Sequence, residues 1–267
     1  MIDLSQAVFL AVLQGLTEFL PISSSAHLLI PSLLFGWADQ GLAFDVAVHV
    51  GTLSAVLLYY RGDLSRMDDR WTRSLAGGPS CDDSRMVWYL ALATVPAGLV
   101  GLFAGDYIEE NLRTLPLIAT TTLVFGLFLG IADRRAGHSD TGRSLGLTVA
   151  LLVGVAQALA PVPGVSRSGI TMTAALLLGM NRQASARFSF LLSIPIIASA
   201  GLLMVFELAM AGQTVNWLLM GVGAVVSGIA AYLCIAAFLR LLDKVGLMPF
   251  VYYRIALAGL LYFLWLS

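Results

Sequence analysis

Residues 145–180 read LGLTVALLVGVAQALAPVPGVSRSGITMTAALLLGM. Two apolar runs, at about 145–160 and 169–180, flank a turn rich in proline, glycine and serine that carries one arginine. Both runs fall short of the roughly 20 residues that cross a hydrocarbon core. Short apolar runs broken by Pro and Gly, with a charge at the break, are the pattern of a helix pair that dips into a membrane and turns back. Earlier in the chain, residues 6–36 read QAVFLAVLQGLTEFLPISSSAHLLIPSLLFG, with runs at about 6–20 and 25–36. A shift of 143 residues lays Gln14 on Gln157, Leu16 on Leu159, Ser23 on Ser166, Ser25 on Ser168 and Leu33-Leu34-Gly36 on Leu176-Leu177-Gly179. At a shift of 144, Phe44 meets Phe188 and Asp63-Leu64 meets Glu207-Leu208. The expectation is a repeat over about 1–64 and 145–208 inside one membrane domain, residues 1–267.

The composition leads to the same place. Of 267 residues, 58% are hydrophobic and 12% charged, against roughly 25% charged in a soluble domain. The surplus apolar surface has to face lipid. A net charge of −1 excludes a nucleic-acid binder, and the apolar excess excludes a secreted domain or a disordered scaffold. Cys81, in a polar stretch, and Cys234, in an apolar one, fit no disulfide framework or metal cluster and read as unpaired thiols. Residues 1–6 hold no Lys or Arg, so the first apolar run is expected to be mature protein rather than a signal peptide.

Six further runs, at about 43–60, 86–105, 115–132, 187–209, 216–240 and 249–266, are long enough to cross. With six crossings, the loops near 61–85, 133–144, 181–187 and 240–248 share one side. They hold Arg61, Arg66, Arg70, Arg73, Arg85, Arg134, Arg135, Arg143, Arg182, Arg187, Arg240 and Lys244, whereas the opposite loops hold only Arg113. Twelve against one places the basic side in the cytoplasm and both termini outside. Three crossings lie between the broken pairs, so the first pair enters from outside and the second from the cytoplasm. That is an inverted-topology repeat whose turns meet near the bilayer midplane. The expected fold is all-α and polytopic: six transmembrane helices plus two re-entrant pairs.

Ionisable groups inside a membrane are costly, and two clusters stand out. In the first, Gln14 and Glu18 share a helix face at i and i+4, Pro21 ends that helix, and Ser23, Ser24 and Ser25 precede His27. Glu, Ser and His supply a hard-metal ligand, a nucleophile and an acid–base group. In the second, Pro161-Val162-Pro163-Gly164-Val165-Ser166-Arg167-Ser168-Gly169-Ile170-Thr171 combines a fixed cation, hydroxyls and the free N–H groups of a restarting helix. Such a set cradles an anion. Brought together, the clusters suit phosphoryl transfer.

The residues also resemble a family. Gln14-x-x-x-Glu18 is similar to the Glu/Gln-x-x-x-Glu motif of the undecaprenyl pyrophosphate phosphatases of the bacitracin-resistance type. Residues 163–171 resemble that family's Pro-Gly-x-Ser-Arg-Ser-Gly-x-Thr at every fixed position, and Phe19 to Ser24 with the following His27 fit as well. Gln14 takes the amide form, which leaves Glu18 to carry any carboxylate role. The resemblance implies an enzyme of the bacterial plasma membrane that removes the terminal phosphate of undecaprenyl diphosphate at the outer face, recycling the lipid carrier of cell-wall synthesis. It implies a divalent cation, Mg²⁺ or Ca²⁺, on Glu18 and Gln14. Arg167, Ser166, Ser168 and N–H groups near Gly169 would hold phosphates. Ser23, Ser25, Gly164 and Thr171 carry over as further substrate-binding positions. Ser24 would attack phosphorus with His27 shuttling the proton, or His27 would attack with Ser24 as a phosphate ligand. The implied partners are a polyprenyl diphosphate and the bilayer, with a homodimer as a candidate assembly.

The rival class is a secondary transporter or channel for a small anion or lipid, in which Arg167 binds the anion and Glu18 a coupling ion. Among other polar residues, His49 is expected to make an interhelical contact, and Asp45 is a candidate for the site mouth. The stretch 61–85 is expected to be a solvated connector, and Gly98, Gly101 and Gly105 are expected to be close helix-packing positions.

Overall fold

A computed structural model describes residues 2–38, 40–136, 145–211 and 216–266; Arg143 and the rest of 137–144 lie outside them. The described residues form helices α1 (Leu4–Thr17), α2 (Ser24–Phe35), α3 (Leu42–Tyr59), α4 (Arg61–Leu75), α5 (Asp82–Asn111), α6 (Leu115–Ala136), α7 (Leu147–Gln157), α8 (Arg167–Leu177), α9 (Arg182–Ala211), α10 (Trp217–Val245) and α11 (Met248–Leu266). Six of them, α3, α5, α6, α9, α10 and α11, are long and apolar enough to cross a membrane. These are the six runs named from the sequence. The protein is an integral membrane protein, and its exposed surface carries rows of Leu, Val and Phe such as Leu102, Phe103, Leu202 and Phe206.

Helices α1, α2, α7 and α8 have 14, 12, 11 and 11 residues. At about 1.5 Å per residue, the longest reaches roughly 21 Å, against about 30 Å of hydrocarbon. The first member of one pair ends at Thr17, four residues before Pro21, and that of the other at Gln157, four residues before Pro161, so the prolines lie inside the turns. Fully buried Phe19, Phe188, Phe190, Leu191 and Ile235 form the centre of the main core, beside the first turn.

Two sequence expectations are corrected. Residues 61–75 are a helix, α4, where a connector was expected. Its polar face is laced by Arg66–Asp63 and Arg73–Asp69 pairs at i,i+3 and i,i+4, and only Met67 is buried. A helix this polar leaves no apolar run to read. Gly98, Gly101 and Gly105 are the second correction, because a Cβ on any of them would meet nothing within 4 Å. The close approach to α5 comes from Gly154 of α7, where a Cβ would lie 2.5 Å from the Ala93 carbonyl oxygen.

Candidate active site

Each broken pair turns through a serine in an unusual backbone conformation. Ser23 has φ 72° and ψ 98°, and Ser166 has φ 72° and ψ 113°. They are the non-glycine residues with positive φ among those described, and they are 143 positions apart. Such a conformation costs a non-glycine residue about 1–3 kcal/mol. Each serine stands at the N-cap position of the helix that follows, α2 or α8. Only Ser166 caps with its side chain, Oγ accepting the Gly169 N–H at 3.2 Å. At Gly164, with φ +88°, any Cβ would collide with Thr121 and the Ile118 carbonyl, so only glycine lets the second turn pass α6.

The turns bring the two clusters into contact. Arg167, at the start of α8, donates from Nη2 to Glu18 Oε1 at 2.8 Å, and the two side chains are 12% and 9% exposed. Its other terminal nitrogen donates to the Ser189 carbonyl at 3.4 Å, and its guanidinium carbon lies 5.6 Å from the Phe19 ring centroid. Glu18 Oε2 accepts the Ser24 hydroxyl at 3.0 Å and the Gln14 amide at 3.1 Å. The same Gln14 nitrogen lies 3.4 Å from His49 Nε2, and His49 Nδ1 donates to the Asp45 carbonyl at 2.8 Å. Ser168 ties the turns together by donating to the Leu20 carbonyl at 2.8 Å.

A cavity of about 410 Å³ opens over this network, and its wall includes Gln14, Ser24, Ser25, Asp45, His49 and Arg113. Glu18 and Arg167 stand one hydrogen bond and one ion pair behind Gln14 and Ser24. The other predicted residues are placed differently. Ser23, Ser166, Ser168, Gly169 and Thr171 are buried in the turns and their caps. Thr171, for example, shares a hydroxyl contact of 2.7 Å with Ser189. His27 is buried as well; its Nδ1 donates to the Ser23 carbonyl, and its Nε2 meets the Tyr253 hydroxyl, both at 2.6 Å. The acid–base group that touches Ser24 is therefore Glu18 rather than His27.

The sequence reading set His49 aside as an interhelical contact, and its ring lines the cavity. Arg254 of α11 was passed over altogether. It is fully buried, and its guanidinium donates to the carbonyls of Pro21 in the first turn, Gly164 and Val165 in the second, and Thr121 and Thr122 of α6, at 2.8–3.5 Å. One side chain thus holds both turns.

The donor set fits a cation of the kind the motif implies. Glu18 supplies a hard carboxylate, and Gln14 Oε1 is buried with no hydrogen-bond partner. A buried acceptor left unpaired costs about 1–3 kcal/mol, and a bound cation would satisfy it.

Comparison with known proteins agrees with the motifs. The model of the family described as bacitracin resistance protein BacA matches residues 7–260. A protein of Saccharophagus degradans named undecaprenyl-diphosphatase is 56% identical over 268 aligned positions, covering 99% of this chain and 100% of that protein. Proteins of the same name from Hahella chejuensis and Colwellia psychrerythraea are each 53% identical, over 98% and 97% of this chain and 98% of their own length. With its two sequence motifs joined at one buried ion pair and its similarity running from end to end, the chain belongs to the BacA family.

Proposed function

We propose that this chain hydrolyses undecaprenyl diphosphate to undecaprenyl phosphate and inorganic phosphate, as the name of its relatives describes. The observation that carries the reading is the chain of contacts Arg167–Glu18–Ser24 beneath a cavity in a membrane protein. Arg167 and Glu18 now neutralise each other. An arriving phosphate competes with Glu18 for the guanidinium, taking the charge-assisted, forked hydrogen bonds that arginine offers. The freed carboxylate is then a base whose hydrogen-bonded neighbour is the Ser24 hydroxyl.

Ser24 Oγ attacks the terminal phosphorus, its proton passes to Glu18 Oε2, and the bond from that phosphorus to the bridging oxygen breaks. Undecaprenyl phosphate leaves, and water then releases phosphate from the serine. Arg167 balances charge on the transferred group throughout. His27, held between the Ser23 carbonyl and Tyr253, keeps the serine turn in shape. Glu18 and Gln14 would hold a divalent cation, Mg²⁺ or Ca²⁺, which when bound draws negative charge from the diphosphate oxygens.

In this reading the short pairs are re-entrant, related by an inverted repeat, and the cavity faces the outer side. Three observations support it: the matched Ser23 and Ser166 conformations at the sequence shift of 143, the basic loops on one side, and Arg113, the lone outer basic residue, in the cavity wall. The prenyl tail stays in the bilayer and enters between helices.

Purified protein in detergent tests the function. Divalent-dependent phosphate release is expected from undecaprenyl diphosphate, falling by about 10²-fold or more in Glu18→Ala, Arg167→Ala and Ser24→Ala, with a cooperative melt above the assay temperature showing that each variant is folded. A phosphoserine trapped at Ser24 supports the serine route, and a phosphohistidine at His27 overturns it. No release with any metal, alongside anion uptake in vesicles, would favour the transporter class.

A further inference from the structure

His49 carries an inference that rests on the phosphatase reading and deepens it. Its Nδ1 lies 2.8 Å from the Asp45 backbone carbonyl, which only accepts, so Nδ1 holds the proton and Nε2 keeps a free lone pair. A backbone acceptor on the far nitrogen is also the arrangement that orients a metal-bound imidazole. That lone pair converges with Glu18 Oε2 on one point, the Gln14 amide nitrogen, 3.4 Å from the first and 3.1 Å from the second.

Gln14 holds its amide nitrogen toward two acceptors and leaves Oε1 buried and unpartnered on the other side. Turned over, the amide would aim oxygen at a carboxylate oxygen and an imidazole lone pair, which only a cation between them makes favourable. The amide N–H₂ occupies the place of a positive charge. Around it, Asp45 and Arg113 line the cavity wall, Arg113 paired with Glu109 at 2.8 Å, and Arg167 stands behind Glu18.

We infer that His49 is a metal ligand of this site, completing with Glu18 and the Gln14 carbonyl oxygen a mixed nitrogen–oxygen set that takes a first-row divalent cation such as Mn²⁺ more readily than Mg²⁺ or Ca²⁺. Carboxylate, carbonyl and water oxygens suit Mg²⁺, Ca²⁺ and Mn²⁺ alike, whereas an imidazole nitrogen favours the transition metal. No three His, Cys, Asp or Glu among the described residues form a metal cluster by themselves. The remaining ligands therefore come from diphosphate oxygens and water, and the cation binds weakly until a diphosphate is present.

The test uses the full-length protein in detergent, labelled with ¹⁵N histidine, with Mn²⁺ and methylenediphosphonate as a hydrolysis-resistant probe. Pulsed electron paramagnetic resonance is expected to show coupling from one directly bound histidine nitrogen. In His49→Gln the coupling disappears while Mn²⁺ stays bound, at least tenfold more weakly, and the ratio of Mn²⁺-supported to Mg²⁺-supported phosphate release falls. Bound Mn²⁺ without histidine coupling, or coupling that persists in His49→Gln, overturns the role of His49 and leaves the metal reading standing. No Mn²⁺ binding by the native protein overturns both.

Discussion

At the residue scale, the cost of placing charge in a membrane explains how the site is built. Arg167 and Glu18 are each nearly closed off, and each would be expensive to bury alone. Their contact at 2.8 Å makes the resting site affordable, and in our reading the substrate phosphate takes the place of Glu18 on the arginine. Lysine keeps the charge but loses the fork. Arg167→Lys is therefore expected to lose at least tenfold in kcat/KM with little change in thermal stability, measured by phosphate release and a melt in detergent. Gln14 carries a second prediction. Gln14→Glu would set two carboxylates side by side, so the metal-free variant should melt below the native protein in EDTA, and Mg²⁺ should reverse the difference. If Mg²⁺ leaves the melt of Gln14→Glu unmoved, residue 14 does not face a cation.

At the element scale, helix termini rather than helix bodies make the site. Two short helices stop just short of proline-bearing turns, two restart behind serines with positive φ, and Arg254 of α11 collects carbonyls from both turns. Those carbonyls have left their helices and find little water, so the guanidinium serves as their solvent. Arg254→Ala strips five carbonyls of a donor. It is expected to lower stability by more than about 3 kcal/mol, at about 1–3 kcal/mol for each acceptor left unpaired, and to reduce expression of folded protein. Glycines offer a cleaner contrast between two positions. Gly154→Ala puts a methyl against the Ala93 backbone and should destabilise by about 1–3 kcal/mol. Gly101→Ala faces open space and should be neutral or slightly stabilising. Equal melts for the two would show that α5 and α7 do not touch as described.

At the scale of the whole molecule, charge orders the protein across the membrane. The cytoplasmic side in our reading is clasped by Arg187–Asp63 at 2.8 Å, joining α4 to α9, and by Arg182–Asp133 at 2.6 Å, joining α9 to α6. Partial burial works against ionisation of Asp63, and hydrogen bonds and charge from Arg187 and Arg66 outweigh it, holding its carboxyl below the usual value of 3.8. A carboxyl depressed in the folded state adds stability above its unfolded pKa, and that stability drains away as pH falls through the folded one. The native protein should thus lose stability below about pH 4 by an increment that Asp63→Asn lacks, read from melts across that range. Orientation is testable with the native thiols. Cys81, at the start of α5, should react with an impermeant maleimide only after the membrane is opened, while buried Cys234 stays silent.

The sequence by itself determined the six helices long and apolar enough to cross, the two pairs of short helices, and the polar residues Gln14, Glu18, Ser24 and Arg167 that the structure joins in one network. Each of these is written in local chemistry: apolar run length, the proline and glycine that end a run, and a charge where charge is costly. It read α4 as a connector, because the apolar face of that helix is only a thin stripe, Leu64, Met67 and Trp71, set among charged residues. It was misleading at Gly98, Gly101 and Gly105, because lipid and a neighbouring helix are equally apolar and spacing cannot tell which one a glycine meets. Only the tertiary structure decided that Glu18, and not His27, receives the Ser24 hydroxyl, that His49 faces the cavity, and that Arg254 holds both turns. The first of these spans six positions across a turn and the others join residues 35 to 233 positions apart, where direction and distance are set by how the turn folds and how whole helices pack rather than by run length or composition.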